Sequence, residues 1–97
     1  MTDNELTSLA VKAYGHAPDG FSPLTDDGDA LRLAVKLNLD VWRGTWPSGK
    51  RYVAAHRVWD VNDSMYYDDG VTLGDDPYAA TRRAIVRAAA EIGRAMP

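Results

Sequence analysis

The chain of 97 residues contains no cysteine, which removes both a disulfide framework and a thiolate metal site and leaves stability to packed aliphatic and aromatic side chains. A reducing compartment suits such a chain. No stretch approaches the roughly 18 apolar residues that a bilayer span requires. The first fifteen residues hold Asp3 and Glu5 and no base before Lys12, so the positive start and apolar run of a secretory signal are missing. Imidazoles are scarce: only His16 and His56 occur, with no Gly-x-Ser-x-Gly elbow near either, whereas a Ser, Thr or Cys nucleophile needs a base that a third group holds. No catalytic residue is therefore expected, and no enzyme. The glycine-rich nucleotide fingerprints are absent, as are internal repeats, linkers and low-complexity stretches. Positive charge is also in short supply. A net charge of −3 argues against general nucleic-acid binding, whose electrostatic part needs a clustered cationic surface.

What is present fits a globular chain. Hydrophobic residues make up 45% and charged residues 26%, and one compact domain over residues 1–97 is expected, with room for a single core. The charges are segregated along the chain. Residues 41–58 carry Arg43, Lys50, Arg51 and Arg57 and no acid, while residues 59–77 carry Asp60, Asp63, Asp68, Asp69, Asp75 and Asp76 and no base.

Thr2 and Glu5 have the spacing of a capping box, and Leu6, Leu9, Ala10 and Ala13 repeat at helical period, so a first helix is predicted to stop at Gly15. Pro18, Asp19 and Gly20 mark a loop. A second helix starts near Thr25 or Asp26, where Asp26, Asp27 and Asp29 suit the positive end of the macrodipole. Ala30, Leu31, Leu33, Ala34 and Leu37 form its buried stripe, and Arg32 and Lys36 its wet side. From Leu39 the period changes to two, with Leu39, Val41 and Arg43 on one face and Asp40, Trp42 and Gly44 on the other. Trp46 to Lys50 is a turn, and Tyr52 opens a second strand that runs to Trp59 or Val61. Residues 65–67 are a third strand, and residues 71–73 a short fourth. Asp76 then caps a last, alanine-rich helix with Pro77 at its first position. Its sheet-facing stripe is Tyr78, Ile85, Ala89, Ile92 and Met96, opposite Arg83, Arg87 and Arg94. The expected class is α+β: a three- or four-stranded antiparallel sheet packed with three helices, in the order α-α-β-β-β-(β)-α, because hairpin connections do not permit parallel neighbours.

Two segments carry a family resemblance. Pro23-Leu24-Thr25-Asp26-Asp27-Gly28-Asp29-Ala30-Leu31-Arg32-Leu33-Ala34-Val35-Lys36-Leu37 and Asp76-Pro77-Tyr78-Ala79-Ala80-Thr81-Arg82-Arg83-Ala84-Ile85-Val86 resemble those of small bacteriophage proteins of the phage ABA sandwich type. The resemblance implies an α–β–α layered domain encoded by a phage or prophage and working in the cytoplasm of the bacterial host. It implies no reaction. Phe21 stands where many members of that family carry Trp, and residues 39–75 have no counterpart in the resemblance, so what this chain recognises is expected there. Capping and close packing of small side chains account for both segments structurally.

Three constellations remain. Asp60-Val61-Asn62-Asp63-Ser64 begins like a calcium loop, but Met65 replaces the turn glycine and Val71 the bidentate glutamate, so neither a metal nor any other cofactor is expected. Asp60, Asp63, Tyr66, Tyr67, Asp68 and Asp69 form an acidic, tyrosine-bearing surface suited to the arginines of a partner. Arg43, Lys50 and Arg51, beside Trp42, Trp46 and Tyr52 and with His56 nearby, form an alternative ligand site in which guanidinium groups fork onto phosphate and rings stack on bases.

The leading expectation is a phage accessory binding protein that inhibits a host defence complex, for example as an anti-CRISPR, by occupying a positively charged surface of a host protein or nucleoprotein complex. The alternatives are a sponge for a nucleotide signal that counters host immunity and a structural, homo-oligomeric phage component. No membrane partner is expected.

Overall fold

A computed structural model describes residues 1–57 and 71–97. The expected third strand and the acidic, tyrosine-bearing surface of Asp60, Asp63, Tyr66, Tyr67, Asp68 and Asp69 lie outside the described residues. Element order is α1 (Asp3–Tyr14), α2 (Asp27–Lys36), β1 (Leu39–Thr45), β2 (Arg51–Arg57), β3 (Val71–Thr72) and α3 (Pro77–Ala95). This is the α+β class, three helices with a three-stranded antiparallel sheet in the order β1-β2-β3.

Each helix starts where a short polar side chain can satisfy an orphan amide. At α1 the Glu5 amide donates to the Thr2 hydroxyl at 3.1 Å while the Thr2 amide donates to the Glu5 carboxylate at 3.3 Å. The Thr2 backbone and hydroxyl bonds hold the Glu5 carboxyl below its ordinary pKa. The stability the carboxylate adds is thus present above the unfolded-state value and lost as pH falls through the lower folded value. Asp26 accepts from the Asp29 amide at 2.8 Å, and Asp76 from the Ala79 amide at 3.0 Å. At the other ends, Gly15 turns the chain with φ 96°. Asn38 turns it with φ 58°, a left-handed conformation its short amide tolerates, so that β1 follows α2 at once.

The α3 helix is the centre of the molecule. It touches the other two helices and all three described strands, whereas α1 rests on α3 and α2 and meets none of those strands. A helix so surrounded is apolar nearly all round, and nine of its residues, from Ala80 to Gly93, are buried. On the α1 side, Arg83 donates to Asp3 at 2.7 Å, and Gly93 lies against the backbone of Leu9. On the α2 side, Ile85 shares a cleft with Ala30 and Leu31. Ala80, Ala84 and Ala88, about one turn apart, form a further buried stripe of small side chains.

Three residues depart from the stripes drawn on sequence. Leu31 is 64% exposed, Tyr78 70% and Met96 41%. Ala30, Leu33, Ala34 and Leu37 keep the α2 core stripe at positions i, i+3, i+4 and i+7, and Leu31 falls on its flank. Tyr78 extends the α2-facing side of α3 beyond the end of the core, and Met96 follows the last helical turn.

Candidate functional site

The β1–β2 hairpin fixes which side chains can meet. Its turn is closed by the Trp46 amide donating to the Lys50 carbonyl at 2.9 Å and the Gly49 amide to the Trp46 carbonyl at 2.8 Å, with Gly49 at φ 92°. The register then runs from Thr45 opposite Arg51 to Leu39 opposite Arg57, passing Arg43 opposite Val53 and Gly44 opposite Tyr52. Side chains alternate across a strand, so Leu39, Val41, Arg43, Arg51, Val53 and Ala55 share one face, and Asp40, Trp42, Gly44, Tyr52, Ala54 and His56 share the other. The first face holds the helix-packed core, to which Val53, Ala55 and Leu39 belong.

The second face is aromatic. Tyr52 lies across Gly44, where a Cβ would come within 2.8 Å of its ring, and stacks on Trp46 with centroids 4.9 Å apart and planes at 24°. Trp42 meets His56 edge-on at 4.3 Å, as expected for a strand histidine beside a tryptophan. His16 is exposed in the loop after α1.

The residues of the alternative ligand site are therefore split by the sheet. Arg43 and Arg51 are on the helix-side face, whereas Trp46, Tyr52 and His56, with Trp42, are on the other. The ring-stacking platform expected beside the cations is not beside them. The cations themselves do converge. Arg43, Lys50 and Arg51 line one cleft of about 420 Å³ at the turn end of the hairpin, together with Thr72, Leu73, Gly74 and Pro77. Arg43 and Arg51 are diagonal neighbours on paired strands, a relation that sets residues roughly 7–8 Å apart. The ion pairs Arg32–Asp29, Arg82–Asp27, Arg83–Asp3 and Arg94–Glu91 do not involve these three cations. Of the acids next to the cleft in sequence, Asp76 is committed to the α3 cap and Asp75 is exposed. Like charges brought together repel one another, and a bound anion relieves that repulsion.

A second cleft, of about 320 Å³, adjoins the first and has Arg43 in its wall too. Ala30, Leu31, Tyr78, Thr81, Arg82 and Ile85 line it, with Asp27 at its edge. Residues of α2 and of α3 thus both line this cleft. Arg82 ties them together: its Nε donates to the Leu24 carbonyl at 2.9 Å and its Nη1 to Asp27 at 2.6 Å. Tyr78 was missed on sequence, since its spacing from Ile85 fits a buried stripe. The one available signal was its place in the first turn of α3, at the end of the core.

Among the described residues no group of three His, Cys, Asp or Glu side chains is gathered as a metal site, and no helix is long and apolar enough to cross a membrane. No model of a known protein family, no curated protein and no solved structure matches this chain.

Proposed function

We propose that the protein acts by binding, and that it sequesters a small phosphate-bearing molecule in the cleft of Arg43, Lys50 and Arg51. One observation carries this: three cations line a single cleft, and no ion pair among the described residues spends any of them. The cleft has the volume of small-molecule sites, roughly 300–1,000 Å³. The Ala79 amide in the first turn of α3 is already taken by Asp76, and the side chains supply the recognition. Guanidinium groups fork onto phosphate oxygens, and each such charge-assisted bond is worth about 1.5–3 kcal/mol. The resemblance to phage proteins supplies a setting, in which the protein withdraws a phosphorylated signal from the infected host.

Calorimetric titration with tripolyphosphate at about 50 mM salt, a range in which contacts to phosphate are weakly screened, tests the proposal. Saturable binding is expected, with Arg43→Gln and Arg51→Gln each weakening it roughly tenfold to a hundredfold and the circular dichroism of both variants unchanged. Absence of saturable heat in the wild-type protein rejects the cleft as an anion site.

A second hypothesis keeps the inhibitor of a host defence complex. It is favoured by the run of residues 59–77, which holds six aspartates and no base to neutralise them. Asp60, Asp63, Tyr66, Tyr67, Asp68 and Asp69 would there meet a cationic partner. Replacing Asp68 and Asp69 together with lysine is expected to abolish protection of a phage from its host's defences. Full protection by a folded double variant counts decisively against that surface.

A further inference from the structure

We infer that the ligand of the cationic cleft is a nucleotide, whose base lies in the adjoining cleft between Leu31 and Tyr78; this rests on the anion-binding function proposed above. The two clefts share Arg43, so a molecule with its phosphates on Arg43, Lys50 and Arg51 has a direct path into the second cleft. That cleft is built for a flat body with polar edges. Its apolar surface comes from Ala30, Leu31 and Ile85, and Tyr78 adds a ring of the kind on which bases stack. Leu31 and Tyr78 are among the most exposed large apolar side chains of the described residues, at 64% and 70%, and a base between them would cover both.

The rim carries acceptors with capacity left. Thr81 donates its hydroxyl hydrogen to the Pro77 carbonyl at 2.7 Å, which leaves its oxygen able to accept. Asp27 uses Oδ1 for Arg82, which leaves Oδ2 for an exocyclic amine. An acyl chain in the same place would meet a carboxylate and a hydroxyl with nothing to offer them, an unfavourable burial of polar groups. A base offers N–H groups to both. The stacking role assigned on sequence to Trp46 and Tyr52 thus passes to Tyr78, on the face of the sheet where the cations are.

The test compares adenosine triphosphate and guanosine triphosphate with tripolyphosphate, titrated in metal-free buffer of equal ionic strength into wild-type protein and Tyr78→Ala. At least one nucleotide is expected to bind ten times or more tighter than tripolyphosphate, and Tyr78→Ala to erase that difference while tripolyphosphate binding stays within twofold. Equal affinity of nucleotides and tripolyphosphate for the wild-type protein would overturn the base site and leave the anion site standing. An equal loss of all three ligands in Tyr78→Ala would also overturn it. A polyglutamate peptide that binds as tightly as the better nucleotide would overturn it in favour of an acidic protein surface. Failure of every ligand to bind wild-type protein would remove the anion site itself.

Discussion

Gly93→Ala is expected to destabilise the protein by about 3 kcal/mol, although helix propensity alone predicts the opposite sign. Alanine is the better helix former by about 1 kcal/mol, and the substitution also restricts the unfolded chain. Position 93 is buried inside α3, however, and a Cβ built there falls on the Leu9 carbonyl oxygen of α1, with the Leu9 carbonyl carbon at 2.9 Å and the Ala13 amide nitrogen at 3.4 Å. These are backbone atoms, so no rotamer change relieves the overlap and α1 must move bodily. Overpacking usually costs about 1–3 kcal/mol, and a clash with backbone that cannot give falls in the occasional range above that, which leaves a net loss of about 3 kcal/mol after the propensity gain. In a chain of this length the midpoint of thermal unfolding should fall by roughly 10–20 °C. Leu9→Ala should not rescue it, because the obstructing atoms remain. A Gly93→Ala protein that melts at or above the wild-type temperature would show that α1 and α3 are not in this contact.

The same helix shows what the sequence could reveal and what it could not. Its start was legible because Asp76 and Pro77 are chemically suited to an N-cap and a first helical position, and the structure puts the Asp76 carboxylate on the Ala79 amide. Thr2 with Glu5, Asp26, and the turn at Trp46 to Lys50 were legible for the same reason, each being a local solution to local amides. Which neighbour each side of α3 would face was not legible. Alanine occupies buried positions around most of the helix, so the apolar pattern points in no single direction, and Tyr78 and Ile85, drawn on the sheet-facing stripe, line a cleft with Ala30 and Leu31 of α2 as well as Arg43 of β1. Leu31 failed for a related reason. Hydrophobicity marks it for burial, yet α2 packs mainly on α3, with lesser contacts to α1 and the edge strand β1, and its core stripe is too narrow to include a residue about 100° from Ala30.

At the candidate site, parity was the informative signal. Alternation along β1 already separated Arg43 from Trp42 before any strand pairing was known. The hairpin register extends that separation to Arg51 and Tyr52, and it brings Arg43 diagonal to Arg51. The grouping of Lys50 with both arginines was legible, but the walling of their cleft by the end of β3 and the start of α3 was not, since it depends on how β3 leads Gly74 and Pro77 back toward the hairpin. That return is a long-range pairing, seen in the Leu73 amide donating to the Arg51 carbonyl at 3.0 Å, and local sequence does not encode it.

Arg82→Leu should be the second most damaging of the substitutions considered, with a loss of about 2–3 kcal/mol. The guanidinium is only 17% exposed, and Asp27, its ionic partner, is 67% exposed, so solvent screens the pair and Asp27→Asn should cost less than about 1 kcal/mol. The larger share belongs to the bond from Nε to the Leu24 carbonyl, a contact between residues 58 apart in sequence. Leucine fills the space of the arginine stem but leaves that part-buried carbonyl without its donor, a loss of up to about 1–3 kcal/mol. Lysine should fall between the two, since its ammonium can reach one acceptor but lacks the fork that serves both. Because Leu24 follows the fully buried Pro23, and the Asp26 amide donates to the Ser22 carbonyl at 2.8 Å, the damage should begin as a local opening of the turn before α2. Hydrogen exchange at the Asp26 amide is then expected to accelerate more than exchange within α3. Uniform acceleration across both would mean that Arg82 contributes to global stability without anchoring that turn.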